Sequence, residues 1–185
     1  TDSIAITLGN KSEKEALTFV QKVNEELPGD ISLELEDFYP RGLFVSKRTT
    51  TAGAKKKYAL MNKQGQFKIR GFETVRRDWC NLARKVQDKA IRMILEDGNA
   101  ERAKNFLEEI ITKVKTRKIE KKEFFIRTQL KKDLHEYKSI SPHVIIAQKM
   151  KELGLPIRPG ALIEYFIAET REKKALVREK AKMPD

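Results

Sequence analysis

Residues 55–79 read KKKYALMNKQGQFKIRGFETVRRDW, and the parsing of this stretch decides the fold. Lys57 to Met61 and Gln66 to Phe72 are short runs of β-forming residues. Between them stand Asn62, Lys63, Gln64 and Gly65, a polar loop with turn residues at both ends, so a β-hairpin is predicted. From Val75 the apolar spacing changes. Trp79, Leu82, Ala83, Val86, Ala90, Met93 and Ile94 recur at helical intervals until Asp97, Gly98 and Asn99 stop them, which predicts one long helix. Trp79 falls on the apolar stripe and is read as a core residue rather than a stacking platform.

Upstream of the hairpin, Ile4 to Leu8 reads as a strand. Ser12 and Glu15 form a capping box, and Ala16, Leu17, Val20, Val23 and Leu27 give a helical stripe ended by Pro28 and Gly29. Ile31, Leu33 and Leu35 then alternate with Ser32, Glu34 and Glu36, the period of a half-buried strand. Leu43 to Val45 is extended, and Thr49 to Ala54 is a small, polar, mobile stretch. Downstream, Phe106, Leu107, Ile110, Ile111 and Val114 mark a second helix, and Glu123 to Leu130 fits either helix or strand. Ser141 and Pro142 start a further helix that Gly154 ends. Ala161 to Ala168 is a strand, and the tail from Glu169 to Asp185 is charged. The fold class is α+β.

The quoted stretch also carries the charge. From Arg41 to Lys85 there are 13 Lys and Arg against two acids, Glu73 and Asp78, which is +11 of the formal +12; elsewhere 26 basic residues meet 25 acidic ones. Concentrating like charge costs stability unless a polyanion relieves it. With Tyr58, Phe67, Phe72 and Trp79 interleaved, the block has the composition of a nucleic-acid surface. The bland alternative is a solvated face.

Other chemistry is disfavoured. The single Cys80 forbids an internal disulfide, and the two histidines lie far from it, so zinc and thiol sites are not expected. His135 and His143 are assigned to the surface or to packing, without a neighbouring nucleophile. No apolar run approaches the roughly 20 residues that span a bilayer, and no signal peptide is visible, so a cytoplasmic protein without membrane contact is expected. Abundant Lys and Glu with one Cys suit a thermophile. Glu34 and Glu36 share one strand face roughly 7 Å apart and repel unless a cation lies beside them. A divalent metal would serve, and so would nearby lysines.

Several motifs resemble family B DNA polymerases of archaea and eukaryotes. Thr1, Asp2, Ser3 is similar to the end of the Asp-Thr-Asp-Ser palm motif. The likeness continues in family order through Leu33 to Tyr39, Arg41, Gly42, Lys56, Lys57, Tyr58, Arg70 to Trp79, Leu134 to Lys138, Pro142 to Val144 and Ile157 to Gly160. It implies the C-terminal strands of a palm, residues 1–45, followed by a mainly helical thumb, residues 46–185, with a basic β-hairpin at its base. It further implies that Asp2 is a catalytic, Mg²⁺-binding aspartate, with Glu36 near the metals and Glu34 its partner. Lys56 and Tyr58 fall in the motif that follows primer-template DNA, Arg76 and Arg77 match thumb residues that grip its backbone, and Lys57, Arg70, Gly71 and Lys138 are further DNA-binding candidates.

The family's exonuclease, fingers and first palm motifs are not in this sequence, and the chain opens between the two aspartates of a metal site. Inteins interrupt that motif in archaeal relatives, and Thr1 satisfies the splicing requirement at the downstream junction. The resemblance therefore implies the small subunit of a split polymerase, a nucleotidyltransferase active only with the large fragment that brings the missing motifs, on primer-template DNA and deoxynucleoside triphosphates. Docking on a sliding clamp is not expected from this C-terminus. The competing reading is a non-catalytic nucleic-acid-binding accessory module with a polymerase-like thumb. A third is a fragment whose palm strands do not order alone.

Overall fold

The computed structural model describes residues 3–47, 50, 53–76, 78–168, 176–177 and 179–184, the side chain of Val75 apart. It is α+β, as predicted, with two three-stranded antiparallel sheets and four helices among the described residues. Thr49, Thr51 and Ala52 of the expected mobile stretch, and most of the charged tail, lie outside the described residues.

Helix α1, Glu13–Glu26, begins as its capping box dictates. The Ser12 hydroxyl accepts from the Glu15 amide at 3.3 Å, and the Ser12 amide donates to the Glu15 carboxylate at 2.8 Å. Yet no residue of α1 is buried. The strands expected at Ile4 to Leu8 and Ile31 to Glu36 do not form: both stretches are without strand structure, and Ile4 and Ile31 are 78% and 62% exposed. Alternation marks a strand only where a ladder partner exists, and among the described residues none lies beside them. The Asn24 amide instead brackets Leu33, donating to its carbonyl at 2.9 Å and accepting from its amide at 2.7 Å.

The predicted hairpin is present as β2, Gly53–Met61, and β3, Phe67–Arg70, with β1, Arg41–Ser46, on the far side of β2. Register pairs Leu43 with Ala59, Phe44 with Tyr58, Tyr58 with Arg70 and Met61 with Phe67. Asn62 builds the loop: its side-chain oxygen accepts from the Gln64 and Gln66 amides at 3.1 and 2.8 Å, an Asx-type turn. Its amide donates to Asp37 at 3.0 Å, which explains why this polar residue is buried.

Helix α2, Asn81–Asp97, lies on one face of this sheet, where Ile91 and Leu95 meet Ala59 and Phe72, flanked by Leu43, Val45, Met61, Phe67 and Ile69. The helix starts after Trp79, so the expected placement of that residue on the helical stripe is corrected. The 3-10 turn Glu73–Val75 breaks the periodicity first, and Trp79 is 43% exposed. At the other end Arg41 donates to the carbonyls of Leu95 and Glu96, capping groups that a helix terminus leaves without partners. Gly98, at φ +71°, ends the helix, and α3, Glu101–Lys115, packs back on α2.

A second core joins Leu130, Ile146, Ala147, Ile163, Tyr165 and Ala181. It is built by β4, Ile126–Gln129, α4, Pro142–Glu152, β5, Leu162–Ile167, and β6, Ala181–Lys182. The ambiguous Glu123 to Leu130 segment thus becomes a 3-10 turn, Lys121–Phe124, followed by a strand. Pro142 opens α4 as expected, but the Ser141 hydroxyl does not cap it; it lies 3.0 Å from His143 Nδ1. A hydroxyl therefore does stand beside that histidine, and burial pushes the imidazole below its ordinary range.

Candidate nucleic-acid interface

One face of the β1–β2–β3 sheet is filled by α2. Strand alternation sends Phe44, Tyr58 and Arg70 to the other face, where Phe44 and Tyr58 stack with centroids 6.1 Å apart. The approach of two backbones shapes the edge of this face. Gly71, at φ +68°, passes so close to β2 that a Cβ there would sit 2.1 Å from the Lys56 carbonyl oxygen. Lys56 itself has φ +60°, a left-handed conformation unusual for a residue with a side chain.

That kink gives adjacent lysines different surroundings. Lys57 is tied down: its Nζ donates to Glu73 at 3.0 Å and lies 5.2 Å from the Phe72 ring centroid. Glu73 also accepts from Gln87 of α2 at 2.7 Å, while the Gln87 carbonyl oxygen accepts from the Thr74 amide at 3.1 Å. These bonds interlock β2, the Glu73–Val75 turn and α2. The Gln87 hydrogen bond, then the Lys57 ammonium, lower the Glu73 carboxyl from its ordinary 4.5 to about 2. Lys55, Lys56 and Arg70 are exposed, and among the described residues no acid pairs with them.

Other cations of the basic block have partners. The Arg76 guanidinium grips Asp78 through two bonds, Nε donating at 2.9 Å, and holds that carboxyl below its usual range. Asp78 thus orients Arg76; Arg77 lies outside the described residues. Between β3 and α2 runs a groove of about 580 Å³ bearing Lys68, Arg70, Arg84, Lys85 and Arg92 against the single acid Asp88. Arg92 pairs with Asp88 at 2.7 Å and lies over the Phe67 ring, and Lys85 pairs with Glu123 at 3.0 Å. Lys138 is exposed beyond the turn Leu134–Glu136, whose neighbour Tyr137 packs on the second core. It belongs to a different part of the fold from the hairpin residues.

Of the proposed metal carboxylates, Glu34 and Glu36 are described. Glu36 pairs with Lys68, raising the lysine above its ordinary range, and Glu34 is exposed. Asp2 lies outside the described residues. Among the described residues no three His, Cys, Asp or Glu side chains stand close enough to hold a metal ion. Nor is any described helix long and apolar enough to cross a membrane. Sequence reasoning missed Phe44, although pairing the extended Leu43 to Val45 run against the hairpin would have put it beside Tyr58. It also missed Arg84, whose position on α2 gave no signal.

These features define a class: a mixed α+β chain whose first sheet packs one face on α2 and carries the Phe44–Tyr58 stack and Arg70 on the other, beside a cationic groove. The chain belongs to DNA polymerase family B, whose family model matches residues 1–185. It is 38% identical over 172 residues to a DNA polymerase of Methanocaldococcus jannaschii, covering 93% of this chain and 10% of that protein. With a DNA polymerase of Pyrococcus glycovorans the identity is 40% over 171 residues, covering 90% of this chain and 21% of the relative. The solved family B DNA polymerase of the hyperthermophilic archaeon Pyrobaculum calidifontis superposes with a TM-score of 0.66 at 31% identity, over 94% of this chain and 21% of that one. The chain thus spans about a tenth to a fifth of these relatives.

Proposed function

We propose that the chain is the thumb-bearing part of a family B DNA polymerase, holding primer-template DNA on the outward face of its first sheet. The observation that carries this is Arg70, exposed, unpaired among the described residues and paired in register with Tyr58, which stacks on Phe44; Lys55 and Lys56, likewise exposed and unpaired, lie just before Tyr58 on the same strand. Cations of this kind neutralise phosphates without reading bases, as an enzyme copying any sequence requires. Lys56, Tyr58, Arg70, Arg76, Arg77 and Lys138 make the contacts, while Gly71 and Lys57 shape and brace the hairpin. The palm part ends near residue 45, within β1, and the thumb follows.

In this reading the chain works as the small subunit of a two-piece enzyme. Support comes from the uncovered apolar surface of residues 3–36, where Ile4, Ile6, Leu17, Phe19, Ile31, Leu33 and Leu35 are exposed and α1 buries nothing. A surface of that kind fits a protein interface, here with the large fragment. Asp2 is the chain's metal-side carboxylate, completed by acids of the partner; Glu36 would first have to leave Lys68, and Glu34 stands near it in sequence. Bound Mg²⁺ would supply charge stabilisation for attack on a deoxynucleoside triphosphate.

The test is primer extension by the chain mixed with a candidate large fragment. Activity is expected only in the mixture, and Asp2→Ala should abolish it while duplex binding persists. Unchanged synthesis by Asp2→Ala would favour the accessory-module reading instead.

A further inference from the structure

A second cleft, of about 430 Å³, opens beside the N-terminus of α2, lined by Trp79, Phe125 and Leu162 together with Arg84, Lys122 and Arg127. Its volume is in the range of small-ligand sites, roughly 300–1,000 Å³. Two of its apolar residues are left open to solvent, Trp79 at 43% and Leu162 at 57% exposure. Large apolar groups exposed together in a concavity ask for an occupant. The Phe125 ring is held in place by stacking on Phe166, centroids 5.9 Å apart.

The rim chooses among occupants. Arg84 donates to the side chain of Asn81, and its Nε has no partner. Arg127 pairs with Glu164, and Lys122 with Glu120 at 2.6 Å, in solvent-exposed ion pairs that a phosphate can replace because such pairs are weak. Glu123, the one acid in the lining, is paired with Lys85 at 3.0 Å. An aromatic wall with cations around it matches a base and its flanking phosphate. Within a duplex the base faces are already stacked, so only an unpaired base gains from the indole.

We propose that this cleft binds an unpaired nucleic-acid strand, one base stacking on Trp79 and the adjoining phosphate lying against Arg84 and Arg127. The cleft does not include Phe44 or Tyr58 and adjoins, through Asn81 and Arg84, the groove that reaches Arg70; the proposal rests on the reading that the chain binds DNA. Trp79 is the only tryptophan in the sequence, so intrinsic fluorescence reports on this cleft alone. The full chain is titrated with a single-stranded oligothymidylate, with a blunt duplex of the same length and with dTMP, while fluorescence anisotropy of labelled DNA records binding independently.

The oligothymidylate is expected to quench Trp79 saturably, and the blunt duplex to bind without comparable quenching. The mononucleotide should quench far more weakly, because it lacks the flanking phosphates that the surrounding cations neutralise. Trp79→Ala should weaken single-strand binding roughly 5- to 150-fold, the range for loss of one base–aromatic stack, and Trp79→Phe should restore most of it. Circular dichroism melting checks that both variants are folded. Single-strand binding without quenching, or wild-type affinity in Trp79→Ala, overturns the cleft while leaving the duplex reading intact. Quenching by dTMP as potent as by the strand overturns the strand assignment, and failure of every DNA to bind sinks both readings.

Discussion

Replacing Gly71 by alanine should unfold the base of the hairpin more than any other single methyl group. Two costs combine at this position. The backbone is left-handed at φ +68°, and the new Cβ would meet the Lys56 carbonyl oxygen at 2.1 Å, its carbon at 2.9 Å and the Lys57 Cα at 3.0 Å. All three are backbone atoms, so no rotamer change relieves the overlap. A left-handed non-glycine residue costs about 1–2 kcal/mol, displacing packed neighbours costs about 1–3 more, and the stiffer unfolded chain returns up to about 1, leaving a net loss of about 1–5 kcal/mol. Gly65→Ala is the control, because φ there is +74° but nothing lies within 4 Å of the added carbon. It should lose only about 1 kcal/mol. Urea unfolding of both variants gives the comparison as a shift of midpoint at unchanged slope. If Gly71→Ala is no less stable than Gly65→Ala, the close approach that sets Lys56 apart from Lys57 is wrong.

Other outcomes follow from the same geometry. Glu73→Gln leaves the Lys57 ammonium without its charge partner and should cost about 1–3 kcal/mol at neutral pH, measured by thermal melting. Because the folded Glu73 carboxyl is depressed to about 2 from an ordinary 4.5, its contribution is present above 4.5 and is lost as pH falls towards 2. The stability gap between wild type and Glu73→Gln should therefore close on acidification through that window, and a gap that stays constant would contradict the assignment. Lys57→Gln should lower the melting temperature while leaving the salt dependence of duplex binding as in wild type. Leu95→Ala empties a position only 2% exposed between α2 and the first sheet and should cost about 2–5 kcal/mol in urea.

What the sequence made readable was mostly local. The capping box at Ser12, the Asn62 to Gly65 turn and the Ser141-Pro142 helix start each carry their instruction within a few residues, and each appears where it was expected. Family membership was legible for a related reason: the motifs are short, ordered and spread along the chain. Readings failed where the deciding contact is distant. Ile31, Leu33 and Leu35 have a strand's spacing but no partner among the described residues. Trp79 continues the helical rhythm of α2, yet the turn at Glu73–Val75 shifts the helix start beyond it.

Charge followed the same logic. Lys55, Lys56 and Lys57 are indistinguishable as letters, and only Gly71 passing over β2, with Glu73 and Gln87 waiting beyond, separates a brace from a free cation. The pairing of Glu36 with Lys68 was one of the alternatives the repelling glutamates left open, and no rule of spacing could choose it over a metal.

The most direct test of the account is the salt dependence of primer-template affinity for the wild-type chain and for Lys56→Gln/Arg70→Gln. Each phosphate contact contributes about 0.9 to the slope of log affinity against log salt concentration, so the double variant should flatten that slope by about 1.8 and bind every sequence more weakly. A slope equal to that of the wild type would mean that the outward face of the sheet does not hold DNA.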